Sequence, residues 1–222
     1  MKQNTSAPNE LEVQLIFTNF FASSYISDFV DIKAIKKYCN DLRVIDPIGI
    51  KLSNRLGWQS QTLNLNAPDS SLVPLIDAIE HRAKSLYTEL SFSDEYEPYV
   101  KSMWININGK YHYNKSHDHP FALFAGCFYV NCPGPEDVGR IRFENPNRNL
   151  KYYLNDQVPK YGQLLKARNH LTSEEWHVIP EEGKLLLFPG WLFHSVDPNL
   201  NDEDRISIAF NIQVRQKQNE NY

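Results

Sequence analysis

Cysteine is scarce in this 222-residue chain: Cys39, Cys127 and Cys132 are odd in number and show no Cys-x-x-Cys spacing. That usage does not make a disulfide framework and leads us to expect a reduced, cytoplasmic protein. Cys127 lies in an apolar run with no base paired to it in sequence, which reads as a small core residue rather than a nucleophile. Long hydrophobic runs are also missing. No apolar stretch approaches the roughly 18–20 residues of a membrane span, and the polar start, Met1 to Glu12, has no apolar core of a secretory signal. A surplus of positive charge is absent as well. With 23 Lys and Arg against 27 Asp and Glu the formal net charge is −4, and no basic stripe marks a nucleic-acid surface. There is no internal repeat and no low-complexity tract.

What is present is a packed-globule composition, 41% hydrophobic and 13% aromatic. The length suits a single domain, 1–222. Residues 1–98 read as an N-terminal strand with helical support. Leu11 to Phe21 is rich in β-branched and aromatic residues, as an extended segment is. Asp31 to Arg43 places Ile32, Ala34, Ile35 and Tyr38 at helical spacing behind a cap at Asp31. Pro68 to Leu90 carries one apolar stripe, Leu72, Leu75, Ile76, Ile79, Ala83 and Leu86. Pro74 is tolerated only in a first turn, which favours Ser71 or a close neighbour as that helix's cap.

From about Tyr99 the texture changes to short strands, expected at 101–107, 115–120, 122–131, 139–144, 175–179, 184–188, 192–196 and 205–214. Asn-Gly, Pro-Gly and Asp-Pro-Asn turns separate them. Eight strands behind two helices predict a mostly β fold, a jelly-roll sandwich spanning 99–215 with the N-terminal helices on one sheet. The connection 145–173 is long for a hairpin and reads as a flap near the site.

His117 and His119 carry the functional signal. Residues i and i+2 of a strand share a face, so the two imidazoles point into one cavity and Asp118 points away. A His-x-His pair alone is weak evidence. Its position at the entry to the apolar run Phe121–Phe124 strengthens it, because buried imidazoles need partners or a metal. His194 supplies a third imidazole, and Arg205 and Ser207 follow. An antiparallel hairpin with Val196 opposite Arg205 would set His194 opposite Ser207, about 4.5 to 5.5 Å away on one face. An inward Arg in such a strand calls for an anion, and a planar carboxylate takes two charge-assisted bonds from it. The competing explanation is an ion pair with Asp202, Glu203 or Asp204 of the preceding loop.

These residues resemble the Fe(II)- and 2-oxoglutarate-dependent oxygenases, whose double-stranded β-helix carries His-x-Asp/Glu, a distal His, and a basic residue followed two later by Ser or Thr. More narrowly, the chain resembles a group of such oxygenases from phages and marine bacteria. The matching stretches are SNRLGWQSQ (53–61), MWININGKYHYNKSHDHP (103–120), AGCFYVNCPGPEDVGRIRFENP (125–146) and GKLLLFPGWLFHSVDPNLNDEDRISIAFNI (183–212). The resemblance implies Fe(II) held by His117, His119 and His194, and 2-oxoglutarate gripped at its distal carboxylate by Arg205 and Ser207. It further implies Asn106 at the metal-proximal end of the cosubstrate and Tyr129 beside a carboxylate. Most of the superfamily has a carboxylate where His119 stands, so this would be a three-histidine site; a strand bulge would instead bring Asp118 to the metal.

The implied reaction hydroxylates a C–H bond of an amino-acid-like or protein substrate, consuming O2 and 2-oxoglutarate and releasing succinate and CO2. No membrane partner is implied, nucleic acid is disfavoured, and association of copies stays open. Two other readings fit the histidines: a three-histidine cupin-type dioxygenase without 2-oxoglutarate, and a non-catalytic jelly-roll module holding zinc. His81, His112, His170 and His177 read as solvated. Trp58, Trp104 and Trp191 read as core, with Trp191 also placed to line the mouth. Arg140 and Arg142 share one face and read as a solvated sheet edge.

Overall fold

Two antiparallel sheets face each other in the computed structural model, which describes residues 14–134, 138–147, 149–150 and 165–217. The larger sheet has six strands, in the order β1 (Ala22–Tyr25), β9 (Lys184–Pro189), β6 (Phe124–Asn131), β11 (Arg205–Gln216), β4 (Tyr96–Asn108) and β3 (Trp58–Gln59). The smaller has five, in the order β2 (Asn54–Arg55), β5 (Tyr113–His117), β10 (His194–Val196), β7 (Ile141–Glu144) and β8 (Glu175–Val178). From β4 onward, successive strands alternate between the two sheets along the path of a double-stranded β-helix, apart from β7 and β8, which are neighbours in the smaller sheet. The expected mostly β architecture with helices on one sheet is the one observed.

Alternation explains the layering. Ile206, Ile208, Phe210 and Ile212 of β11 are buried with Met103, Ile105 and Ile107 of β4 on the outer face of the larger sheet. Two helices, α1 (Ile32–Ile45) and α2 (Val73–Glu89), close that face with Ile35, Cys39, Leu75, Ile79 and Ala83. Each such aliphatic side chain contributes roughly 1.5–3 kcal/mol by leaving water. The opposite face of β11 carries Arg205, Ser207, Ala209 and Asn211 toward the smaller sheet. One strand therefore serves the structural core on one side and a polar cavity on the other.

The Asp31 cap holds: its carboxylate accepts a bond from the Ala34 N–H at 3.0 Å. Ser71 does not cap α2. Leu72 occupies the cap position without a side-chain bond, and Asp69 instead accepts from the Ser71 N–H and hydroxyl in the preceding turn. The first strand falls at Ala22–Tyr25 rather than within Leu11 to Phe21, because β9 offers its ladder there, Ala22 opposite Leu187 and Tyr25 opposite Lys184. Leu11 to Val13 lie outside the described residues. So do residues 148 and 151–164 of the expected flap.

The anticipated hairpin between 192–196 and 205–214 does not form. β10 pairs with β5 and β7, whereas β11 pairs with β4 and β6 in the other sheet. The connection 197–204 crosses between sheets and is tied to the β4–β5 turn. Asn199 donates through its backbone N–H to His112 and through Nδ2 to the carbonyls of Asn108 and Glu203, while accepting from the Tyr111 N–H. His194 and Arg205 thus meet across the sandwich instead of side by side. No helix among the described residues is long and apolar enough to cross a membrane.

Candidate active site

The inner faces of the two sheets bring the singled-out residues together in rows. On the smaller sheet His194 stands between His117 of β5 and Phe143 of β7, its direct cross-strand partners. On the larger sheet Ser207 stands between Asn106 and Tyr129. The next row along is Trp104, Ala209 and Cys127, and the one after is Ser102, Asn211 and Ala125. A narrow cavity between the sheets is lined by His117, His119, His194, Asn106, Tyr129, Arg205 and Ser207, together with Trp104, Cys127, Ser53 and Asn114.

His119 reaches this cavity by a different route from the one expected. The strand ends at His117, and residues 118 and 119 are irregular before the Pro120–Phe121 turn, where Phe121 adopts φ +69°. The chain is held there by a bond from the His119 N–H to the Gly190 carbonyl at 2.8 Å. The ligand nitrogens of His117, His119 and His194 all lie within 4.8 Å of one another. Asp118 is not part of that group, so no bulge brings its carboxylate to the cluster.

Hydrogen bonds sort the imidazole nitrogens. His117 Nδ1 lies 2.7 Å from the Lys115 carbonyl and His194 Nδ1 lies 3.0 Å from the Leu192 carbonyl. A carbonyl only accepts, so both rings carry their proton on Nδ1 and present a bare Nε2. His119 Nε2 sits 3.3 Å from His194 Nε2. Burial pushes all three below the ordinary histidine range, His119 to about 4 and His194 to about 3, with His117 adding to the depression of both. Neutral rings whose nitrogens converge in this way would suit a bound cation, and neutral imidazoles would lose no proton on binding it at neutral pH.

Arg205 is 98% buried, with a relative exposure of 2%. Its Nη1 donates to the Gly139 carbonyl at 2.7 Å, but its Nε is buried without a hydrogen-bond partner. It makes no ion pair among the described residues. Asp202 pairs with Lys110 and Asp204 with Arg43, so the preceding loop's acids do not neutralise Arg205. Asn106 Oδ1 is likewise buried and unpartnered. Orphaned polar atoms of this kind are expected where a polar ligand completes a site. The residues therefore fit a metal at one end of the cavity and a carboxylate at the other.

The cysteines take no part as nucleophiles: burial drives the Cys39, Cys127 and Cys132 thiols up to about 12, 11 and 12. Of the tryptophans, only Trp58 is core. Trp104 lines the cavity and stacks on His119 at 5.8 Å, while Trp191 is exposed and lines a larger cleft of about 1070 Å³ beside Phe21, Phe143 and Trp176. His117, His119 and His194 do not line that cleft, although His170 does. Arg142 does not lie at a sheet edge: it is on β7, flanked by β10 and β8, with its guanidinium paired on the outer face by Glu175 and Asp197. Asn211 and Trp104 were legible but missed; both continue the every-second-residue pattern that exposes Ser207 and Asn106.

Residues 102–211 match the family model described as "Putative 2OG-Fe(II) oxygenase". The chain belongs to the 2OG-Fe(II) oxygenases. Solved structures of the same fold bear out the architecture of this oxygenase. A prolyl-4-hydroxylase from Pseudomonas putida is 15% identical over 90% of this chain and 95% of its own, with a TM-score of 0.59. The viral collagen prolyl hydroxylase of Paramecium bursaria Chlorella virus-1, solved with 2-oxoglutarate, is 13% identical over 86% and 94%, with a TM-score of 0.51. HygX from Streptomyces hygroscopicus, solved with nickel, 2-oxoglutarate and hygromycin B, is 14% identical over 88% and 83%, with a TM-score of 0.53. No protein of curated function matches the oxygenase by sequence.

Proposed function

We propose that this oxygenase is an Fe(II)- and 2-oxoglutarate-dependent dioxygenase that hydroxylates a C–H bond of an amino-acid-like or protein substrate. His117, His119 and His194 hold the metal. Arg205 and Ser207 grip the distal carboxylate of 2-oxoglutarate, with Asn106 and Tyr129 flanking Ser207 to receive the rest of the molecule. The observation that carries the reading is the placement of Arg205, whose Nε is buried without a partner, across one cavity from the clustered ring nitrogens of His117, His119 and His194. When bound, iron and 2-oxoglutarate supply the oxidative chemistry: O2, 2-oxoglutarate and R–H give succinate, CO2 and R–OH.

The chain's own contribution is positioning and exclusion of water. Phe143, Phe188 and Leu186 fill the space behind His194, and Phe188 packs edge-on against its ring at 4.7 Å. Tyr129 is buried, which pushes its phenol well above its ordinary range, so it serves as a protonated hydrogen-bonding group. Three neutral ligands leave the metal one charge unit more positive than two histidines and a carboxylate do, which favours a chelating anionic cosubstrate.

The deciding test is anaerobic addition of Fe(II) and 2-oxoglutarate to metal-stripped protein, followed by visible absorption. A weak charge-transfer band that requires both components is expected. Arg205→Ala should raise the 2-oxoglutarate concentration for half-formation about 100-fold, since two charge-assisted bonds of about 1.5 kcal/mol each are lost. Iron uptake without a band would favour a cupin-type dioxygenase. No iron uptake would leave a zinc or structural site.

A further inference from the structure

Two of the three imidazoles are oriented by main-chain carbonyls two residues before them, but His119 is oriented by a side chain. Its Nδ1 lies 2.7 Å from Asn211 Oδ1, and Asn211 Nδ2 donates to Ser102 Oγ at 3.2 Å. Asn211 and Ser102 are direct cross-strand partners on β11 and β4, and the β11 register shifts between Asn211 and Ile212. A bulge at that point re-aims the side chain it carries. His119 is also the ligand outside regular strand structure, so no β ladder fixes its ring. Trp104 covers one face of the imidazole, which limits tilting but leaves rotation of the ring about its own axis undetermined.

Resting on the three-histidine reading above, we propose that Asn211, anchored by Ser102, is a positioning residue that sets the His119 tautomer and aims its Nε2 at the metal. The choice is binary. With the amide oxygen toward the ring, His119 carries its proton on Nδ1 and joins His117 and His194 in presenting a bare nitrogen. With the amide reversed, Nδ2 donates to Nδ1, the ring proton moves to Nε2, and His119 donates to His194 instead of binding a cation. The structure holds the first arrangement, with Asn211 Oδ1 toward the ring and Nδ2 toward Ser102 Oγ, whose hydroxyl keeps the amide in place. Partners that orient metal-bound imidazoles in this way typically govern 10–100-fold in metal affinity. A neutral amide here also leaves uncompensated the charge that a ligating carboxylate supplies elsewhere in the superfamily.

The test combines nitrogen-15 NMR of the imidazoles in the metal-free full-length protein with anaerobic Co(II) and Fe(II) titration by calorimetry. His119 is expected as the Nδ1–H tautomer in the wild type. Asn211→Leu should weaken Co(II) binding 10–100-fold and mix the tautomers, and Ser102→Ala should weaken it several-fold. Asn211→Asp keeps the acceptor and adds charge, so it should bind at least as tightly as wild type, which also serves if the leucine variant fails to fold. An Nε2–H tautomer in the wild type, or equal Co(II) affinity in Asn211→Leu, overturns the inference while leaving the metal centre standing. A wild-type protein that takes up neither ion overturns the metal-centre reading itself.

Discussion

His119 and His194 lose their hydration on folding and regain little to support a positive charge, which ties their titration to stability. Above about pH 6.5, the unfolded value, both states are neutral and these rings contribute no pH dependence. Below it the unfolded chain takes up protons while the native rings, at about 4 and 3, do not. Native stability therefore falls as pH drops from about 6.5 toward 4. The thermal midpoint of metal-free protein should be lower at pH 5 than at pH 7.5, and His194→Gln should flatten that slope. A midpoint unchanged across this range would mean that the rings are not held neutral. At this scale the site was largely legible in the chain: His117, His119, His194, Arg205, Ser207, Asn106 and Tyr129 share a single cavity. The inward placement of Asn211 was legible from the alternation along β11, but its partnership with His119 was not, because it depends on His119 leaving the strand, which no local pattern announces.

Elements place these side chains, and their boundaries follow ladders more than propensities. β4, β6 and β11 were anticipated because each alternates buried aliphatic residues with small or polar ones. The two-residue strands β2 and β3 were not, since Asn54–Arg55 and Trp58–Gln59 carry too few residues to show a period. The supposed hairpin failed for a related reason: register arithmetic within one strand is reliable, but it does not say which sheet receives the strand. The loops at the site are equally constrained. A Cβ at Gly190 would lie 2.2 Å from the Ala122 carbonyl oxygen, and Gly190 is the residue whose carbonyl holds the His119 backbone. Gly190→Ala should therefore cost about 1–3 kcal/mol in denaturant unfolding and weaken metal binding at least tenfold. Full metal affinity in the variant would show that the loop adapts without moving His119.

Across the whole molecule, site and fold are stabilised by the same contacts, so ligands should report on both. Metal together with 2-oxoglutarate, each at about 100 times its dissociation constant, should add at least 2.7 kcal/mol to stability. For a chain of this size that raises the midpoint by roughly 5–10 °C. Differential scanning calorimetry with and without a chelator checks this, and an unshifted midpoint would deny tight binding to the native state. The overall sandwich was readable from strand count, turn residues and two amphipathic helices, because those patterns record burial directly. The pairing of sheets across the cavity was not, because it is settled by contacts between residues some 60 to 100 positions apart.

The proposed metal ligands approach from the smaller sheet and the proposed anion clamp from the larger one, with Leu186, Phe143 and Phe188 packed between them. The gap between layers then acts as a gauge of carbon count. A dicarboxylate one methylene shorter or longer than 2-oxoglutarate meets the histidines or Arg205, but not both, so cosubstrate choice is written into the thickness of the hydrophobic filling.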